Sequence, residues 1–211
     1  MSAGASAAAE AAAIRARARK GVWRRIQAWL GVGKAIRRAD AVAARWERGA
    51  AAERATALLL KPLEGLGWHV RHDLGMVGRK ENYDTVLVAP DGTVIVLDTK
   101  AWARNAVTTL VGGRVCCGVE DRHGEVEKVG RYANRIARAV GVPEVVAVVL
   151  VHGSPVAGGY LEARVPGLPR PAYVLTPSTA VPVLSDAVQY RDPVRAAQAA
   201  AAVDQVLRPY T

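Results

Sequence analysis

Residues 82–102 read Asn-Tyr-Asp-Thr-Val-Leu-Val-Ala-Pro-Asp-Gly-Thr-Val-Ile-Val-Leu-Asp-Thr-Lys-Ala-Trp. This stretch contains two runs rich in β-branched residues, Tyr83 to Ala89 and Thr93 to Thr99, on either side of Pro90-Asp91-Gly92. Two such runs around a short Gly-containing loop are typical of a β-hairpin. We therefore expect an antiparallel pair of strands around which the remaining elements assemble.

The register of this hairpin follows from the length of its loop. If the loop is the three residues Pro90-Asp91-Gly92, Ala89 faces Thr93 and Asp84 faces Asp98. Alternation then places one set of side chains on a single face, namely Asp84, Val86, Val88, Val94, Val96, Asp98 and Lys100. Directly opposed carboxylates lie about 4.5–5.5 Å apart at Cβ and destabilise a sheet unless they are neutralised. A divalent cation would neutralise them, although each charge taken alone is also typical of a solvated strand end.

The same residues resemble a known nuclease core. Asp84, followed after the hairpin by Asp98-Thr99-Lys100, is similar to the PD-(D/E)xK pattern. A narrower resemblance, to the nuclease-related domain (NERD) family, covers roughly Arg45 to Val151. It rests on four pieces in order: Gly49 with Glu53, Tyr83-Asp84, Gly92-Thr93-Val94, and Asp98-Thr99-Lys100-Ala101-Trp102.

The resemblance implies an α/β fold with a restriction-endonuclease-like core. In such a fold a central mixed β-sheet is flanked by helices, and here an N-terminal basic helical extension precedes it. We expect residues 1–38 to form an Ala-rich tail and a basic amphipathic helix. Residues 39–211 would form the nuclease-like domain, with a core at 45–151 and C-terminal strands and a helix at 152–211.

The resemblance also implies a catalytic site and a cofactor. Asp84, Asp98 and the Thr99 backbone carbonyl would hold Mg²⁺ or Mn²⁺, which prefer hard oxygen ligands. Glu53 would be a third acidic group at the metal or its water shell, whereas without the resemblance it would be interpreted as an exposed helix carboxylate paired with arginine. Lys100 would orient the attacking water or stabilise charge on phosphorus.

Four basic residues are candidates for contacts with nucleic-acid phosphates. Arg79 and Lys80 lie in the loop before the hairpin, next to its charged end. Lys128 and Arg131 lie on a helix that borders the substrate groove in the resembled family. The alternative for all four is an ordinary solvated surface charge.

Composition limits the partners and the compartment. The chain has 211 residues and a formal net charge of +10, which favours polyanions, with nucleic acid ahead of an anionic membrane surface. The only cysteines are the neighbours Cys116 and Cys117, which lack the spacing of a zinc site and indicate a reducing cytoplasm. No apolar run is long enough to span a bilayer.

The N-terminal extension has several possible roles. Residues 1–13 are low-complexity and predict a tail without regular structure. From Ile14 to Arg38 the charged residues are all basic, and Val22, Trp23, Ile26, Trp29 and Leu30 recur at helical spacing. Packing on the domain, contact with nucleic acid and weak anchoring to a membrane surface all stay open.

Further elements follow from periodicity and turn signals. We expect a helix at 39–63, in which Gly49 indicates close approach of another element, and a strand at 68–74. A second hairpin, a helix and four later elements should follow at 107–118, 125–140, 145–151, 160–165, 172–175 and 192–207. The histidines, including His123 and His152, are interpreted as structural, since nothing in the sequence places them near the hairpin.

The sequence therefore predicts a Mg²⁺- or Mn²⁺-dependent nuclease acting on DNA ahead of RNA. Two other classes stay open: a module that binds nucleic acid without cutting it, and a module associated with a membrane surface.

Overall fold

The computed structural model describes residues 5–18 and 34–210, and within them five helices and ten strands. The helices are α1 (Ala5–Ala18), α2 (Lys34–Gly65), α3 (His123–Val140), α4 (Pro177–Asp186) and α5 (Pro193–Val206). The strands are β1 (His69–Met76), β2 (Asn82–Val88), β3 (Val94–Ala101), β4 (Thr108–Val111), β5 (Arg114–Cys117), β6 (Glu120–Asp121), β7 (Val146–His152), β8 (Tyr160–Ala163), β9 (Ala172–Leu175) and β10 (Leu207–Pro209).

Seven strands form one mixed sheet in the order β10-β1-β2-β3-β7-β9-β8. Strand β3 pairs antiparallel with β2 and parallel with β7, and β7 pairs parallel with β9. The predicted hairpin thus occupies the centre of the sheet. The expected α/β class with a central mixed sheet flanked by helices, compatible with a restriction-endonuclease-like core, is confirmed.

The central strands are buried on both faces because helices cover each side of the sheet. One apolar cluster contains Val86, Val88, Val94 and Val96, together with residues of α3 and α5. The other contains Leu87, Ile95 and Leu97, together with residues of α2 and α4. From Val86 to Leu97 the even-numbered and odd-numbered apolar residues of β2 and β3 therefore enter different cores, as the alternation in the sequence predicts, whereas Tyr83 lies in the first cluster.

The hairpin turn is built by residues whose local chemistry favours it. Gly92 has φ of +84° and donates its N–H to the Ala89 carbonyl at 2.8 Å. The Asp91 carboxylate accepts the Thr93 N–H at 2.8 Å, the local bond that makes Asp common in turns. A Cβ atom at Gly92 would lie 2.5 Å from Cγ of Arg195 on α5. Glycine therefore allows both the turn and the close packing of the last helix.

Strands β4, β5 and β6 follow β3 and precede α3 in the sequence, and they form a separate antiparallel sheet. The predicted second hairpin is present as β4 and β5, joined by Gly112-Gly113, while β6 was not predicted. A buried hydroxyl pair, Thr108 Oγ1 and Ser154 Oγ at 2.7 Å, ties this small sheet to the segment after β7.

The N-terminal part of the chain departs from the prediction. Residues 5–13 belong to α1 rather than to an unstructured tail, because alanine is the strongest helix former and α2 lies alongside. Helix α2 begins at Lys34, so residues 34–38 continue into it. Residues 14–18 of the expected basic amphipathic helix belong to α1, and residues 19–33, including the two tryptophans, lie outside the described residues. Within the described part, no helix is long and apolar enough to cross a membrane.

The close approach expected at Gly49 is not found among the described residues. A Cβ atom added at this position would meet no described atom within 4 Å. Gly49 is therefore not required for close approach to any described element.

Candidate active site

Three aspartates form one row across neighbouring strands. The pairing of β2 with β3 runs from Val88↔Val94 to Thr85↔Leu97, and the next pair in this register is Asp84 with Asp98. Strands β1 and β2 pair at His72↔Thr85 and Leu74↔Tyr83, which places Asp73 beside Asp84. The hairpin register expected from the sequence is confirmed, and the row lies at the end of the sheet away from the turn.

The backbone of β3 and one lysine hold two of these carboxylates. The Thr99 N–H donates to Asp84 Oδ2 at 2.7 Å. Lys100 Nζ forms an ion pair with Asp98 Oδ2. Asp98 is only 3% exposed, so this ion pair is largely excluded from water. Asp84, Asp98 and Lys100 therefore lie together, as the sequence predicts.

Helix α2 brings Glu53 to the same end of the sheet. Burial, together with the charges of Asp73 and Asp98, raises the pKa of Glu53 to about 7, against a smaller lowering by Lys100 and Arg54. Glu53 also lies one helical turn before Thr56, whose hydroxyl accepts a hydrogen bond from Thr99 at 3.1 Å. Glu53 is therefore part of the acidic group and is not a solvated helix carboxylate paired only with arginine.

The electrostatics of the site show an excess of negative charge. Burial raises the pKa of Asp84 well above its ordinary value, and the Asp98 carboxylate raises it further. Burial alone would lower the pKa of Lys100, but Asp98 and Asp84 outweigh it and raise that pKa above its ordinary value. Further positive charge at the site would therefore stabilise the ionised forms of Asp84 and Glu53.

The donor set fits a hard divalent cation. Mg²⁺ is usually bound through one or two carboxylates while it keeps several waters, and the opposed Asp84 and Asp98 provide two. Within residues 5–18 and 34–210, no three His, Cys, Asp or Glu side chains converge as a complete metal cage. These residues therefore fit an ion that keeps water or substrate oxygens among its ligands. They do not fit a zinc site in which protein side chains supply every ligand.

Asp73 is a member of the site that the sequence analysis missed. It is buried, has φ of 54°, and lies in a backbone region that Asp tolerates better than most residues. Asn82 Nδ2 donates to its carboxylate and the Tyr210 N–H donates to its carbonyl, both at 2.8 Å. Its position depends on pairing across the 77–81 loop and with β10, which local sequence patterns do not reveal.

His152 and Thr56 were also missed. His152 ends β7 and pairs with Ala101 beside the hairpin, and its Nε2 lies 2.8 Å from Thr56 Oγ1. The expectation that nothing places His152 near the hairpin was therefore wrong. The sequence feature that could have placed His152 near the site is its position at the end of an apolar strand. Neighbouring parallel strands end on the same side of a sheet. His123 is buried against the small sheet, where its Nδ1 accepts the Val115 N–H at 3.4 Å.

The four predicted phosphate-contact residues are exposed on two adjoining elements. Arg79 and Lys80 lie in the loop between β1 and β2, and Lys128 and Arg131 lie on α3. The two elements are joined by an ion pair between Glu81 Oε1 and Arg135 Nη1 at 2.5 Å. Near the start of α3, Glu125 accepts a hydrogen bond from Trp102 Nε1 at 3.4 Å. We call Arg79, Lys80, Lys128 and Arg131 the basic rim.

The raised pKa values predict how pH affects the metal-free protein. Folded Glu53 keeps its proton up to a pH of about 7, whereas the unfolded chain releases it near 4.5. The unfolded state therefore binds fewer protons between these values, and stability should fall as the pH rises through this range. Because bound Mg²⁺ or Mn²⁺ favours the charged carboxylates, the rise in melting temperature on adding either ion should be larger at about pH 8 than at about pH 5.5.

Thermal melts in EDTA and with each metal at the two pH values would test this expectation. Glu53→Gln is the control, since it removes the titrating group and should flatten the difference. Equal metal-induced shifts at both pH values in the wild type would contradict the prediction.

A family model described as the nuclease-related domain (NERD) matches residues 48–156, which is just over half of the chain. The match covers α2 from Arg48 onward, the hairpin with its aspartates, α3 and β7. It confirms the resemblance found over roughly residues 45–151. No curated protein and no solved structure matches the chain.

Proposed function

Because the chain belongs to the nuclease-related domain family, we propose that it is a metal-dependent nuclease that hydrolyses phosphodiester bonds of nucleic acid, DNA ahead of RNA. One observation carries the proposal: Asp84 and Asp98 oppose each other on paired strands, with Lys100 and Glu53 at the same sheet edge. A net charge of +10 favours a polyanionic substrate.

Asp84, Asp98 and the Thr99 carbonyl would hold Mg²⁺ or Mn²⁺, with Glu53 ordering its water shell. The orientation of Thr99 supports its proposed role as a metal ligand, since its N–H is directed at Asp84. The N–H and C=O of one strand residue point to the same side, so the Thr99 carbonyl faces the same edge. When bound, the ion would polarise the scissile phosphate and lower the pKa of a coordinated water.

Lys100 would act as a fixed positive charge. Its pKa is raised above the ordinary value by Asp98 and Asp84, so it keeps its proton at neutral pH and is unsuited to act as a base. A protonated amine beside the reacting phosphate stabilises negative charge that develops on the phosphoryl oxygens. It can also orient the attacking water by donating one of its hydrogen bonds.

Glu53 would position water through a carboxylate that changes charge near neutral pH. Its pKa of about 7, raised first by burial, allows it to hold or release a proton at a carboxylate oxygen under working conditions. Because Glu53 lies on α2, it would add a carboxylate to the site from an element outside the hairpin.

The basic rim would bind the sugar-phosphate backbone of the nucleic acid. Lys128 Nζ lies 5.2 Å from the centre of the Tyr132 ring, which holds the amine against α3, and Arg131 follows on the same exposed side. Phosphate contacts of this kind position a nucleic acid without reading its sequence.

Replacing both Lys128 and Arg131 by glutamine should weaken binding to all duplex sequences alike. The slope of log affinity against log salt should become shallower by about 0.9 for each phosphate that is no longer neutralised. Fluorescence anisotropy over a salt series in EDTA measures this without cleavage. A control with Lys61→Gln and Arg191→Gln removes the same charge from exposed residues of α2 and of the segment before α5, and its slope should match the wild type. Equal slopes for all three proteins would contradict the role of the rim.

The proposed activity can be tested on supercoiled plasmid, single-stranded DNA and RNA with Mg²⁺, Mn²⁺ or EDTA. Cutting that requires metal and is fastest on DNA is the expected result. Retention of DNA without cleavage of any substrate would instead identify a module that binds nucleic acid without hydrolysing it.

A further inference from the structure

Behind the acidic row, a chain of buried hydrogen bonds joins three elements of the fold. Thr99 Oγ1 donates to Thr56 Oγ1 at 3.1 Å, and Thr56 Oγ1 lies 2.8 Å from His152 Nε2. Thr56 is 1% exposed and Thr99 is 8% exposed. These hydrogen bonds link β3 to α2 and α2 to β7.

The direction of the second bond depends on the tautomer of His152. Thr56 Oγ1 accepts the bond from Thr99, and its own hydrogen goes to His152 Nε2 in the tautomer that leaves this nitrogen unprotonated. Burial lowers the pKa of His152, which favours the neutral ring needed for this acceptor. Both hydroxyl hydrogens then have an acceptor, whereas an unsatisfied buried hydroxyl would cost about 1–3 kcal/mol.

One end of this series of hydrogen bonds is Thr99, which contacts the acidic residues of the site. Thr99 lies between Asp98 and Lys100, and its N–H holds Asp84 at 2.7 Å. Thr56 is one helical turn after Glu53, on the same side of α2. On the other side, the Trp102 N–H donates to the His152 carbonyl at 3.0 Å and fixes β7 against the end of β3.

We propose that Thr56 and His152 are positioning residues that fix Thr99, and through it Asp84 and the strand bearing Asp98, in the arrangement that binds the divalent cation. The inference rests on the proposed function, since it assumes that this sheet edge binds a metal. It gives two residues outside the acidic row the role of setting the distance between α2 and the hairpin.

The test is Mn²⁺ binding to the full chain, measured by isothermal titration calorimetry without nucleic acid. Thr56→Val keeps the volume and removes the hydroxyl, and it should weaken Mn²⁺ binding by about 10–100-fold, the usual effect of removing an outer-shell partner. Thr56→Ser keeps the hydroxyl and should restore affinity to within about threefold of the wild type. His152→Leu removes the acceptor and should weaken binding in the same direction.

Thr108→Val is a matched control, because Thr108 is also buried and hydrogen-bonded but belongs to the small sheet. It should lower thermal stability without changing Mn²⁺ affinity, whereas Thr56→Val should change affinity while still melting cooperatively in EDTA. Should Thr56→Val fail to fold, the comparison of His152→Leu with Thr108→Val decides. Wild-type affinity in both Thr56→Val and His152→Leu would overturn the inference and leave the proposed function standing. A wild type that binds no Mn²⁺ would overturn both.

Discussion

Replacing Asp98 by asparagine is expected to reduce metal-dependent cleavage by at least about a thousandfold, or about 4 kcal/mol in the barrier. Asp98 is 3% exposed, forms an ion pair with Lys100 and faces Asp84 across the hairpin. Asparagine has the same shape but no charge, so only one of the two carboxylates proposed to hold the metal remains. The rate of plasmid nicking with Mg²⁺ or Mn²⁺ measures the effect.

Asp186→Asn is the matched control, since Asp186 is an exposed residue at the end of α4. It should cut at the wild-type rate. DNA binding by Asp98→Asn in EDTA should be retained, because the basic rim is unchanged. A variant that cuts within about tenfold of the wild type would show that Asp98 is not required for the chemistry.

Lys100→Met should have the second largest effect, and on two quantities. The cleavage rate should fall by about 10²–10³-fold, the typical result of removing one group that stabilises charge in a transition state. The free energy of unfolding in EDTA at about pH 8 should fall by about 3 kcal/mol, at the low end of the cost of removing one partner of a buried ion pair. The low end applies because the Lys100 side chain is 20% exposed.

The two variants should differ in metal binding. Lys100→Met leaves Asp84, Asp98 and Glu53 in place without their lysine, so Mn²⁺ should bind at least as tightly as in the wild type and restore much of the missing stability. Asp98→Asn should bind Mn²⁺ weakly. If Lys100→Met abolished Mn²⁺ binding while remaining folded, the lysine would act through the structure of the site and not through its charge. Titration calorimetry and thermal melts with and without Mn²⁺ distinguish these outcomes.

Much of the candidate site could be predicted from the sequence because it lies within one hairpin. The three-residue loop sets the register, and the register places Asp84 opposite Asp98 and puts Lys100 on the same side. These relations involve fewer than twenty residues and need no knowledge of the rest of the fold. Glu53 was included only through the family resemblance, because its contacts with the site depend on how α2 packs.

Most helices and strands were likewise predicted from local signals. Asp192 before Pro193 indicates a helix start, and the structure shows the Asp192 carboxylate accepting the Arg195 N–H at 2.9 Å. The apolar run at 145–151 indicates a strand covered on both faces, and β7 lies between β3 and β9. The prediction failed for residues 5–13, because a compositional argument for disorder was given more weight than the helix propensity of alanine.

Local alternation and turn chemistry therefore account for the hairpin, its acidic face and Lys100, since each depends on neighbours in the chain. The parallel pairing of β3 with β7, the packing of α2 on the sheet and the addition of β10 to β1 were decided by burial of apolar surface between distant segments. That packing brings Asp73, Thr56 and His152 to the site and raises the pKa of Glu53. Long-range contacts have this role because charges and hydroxyls interact strongly only where neighbouring elements exclude water.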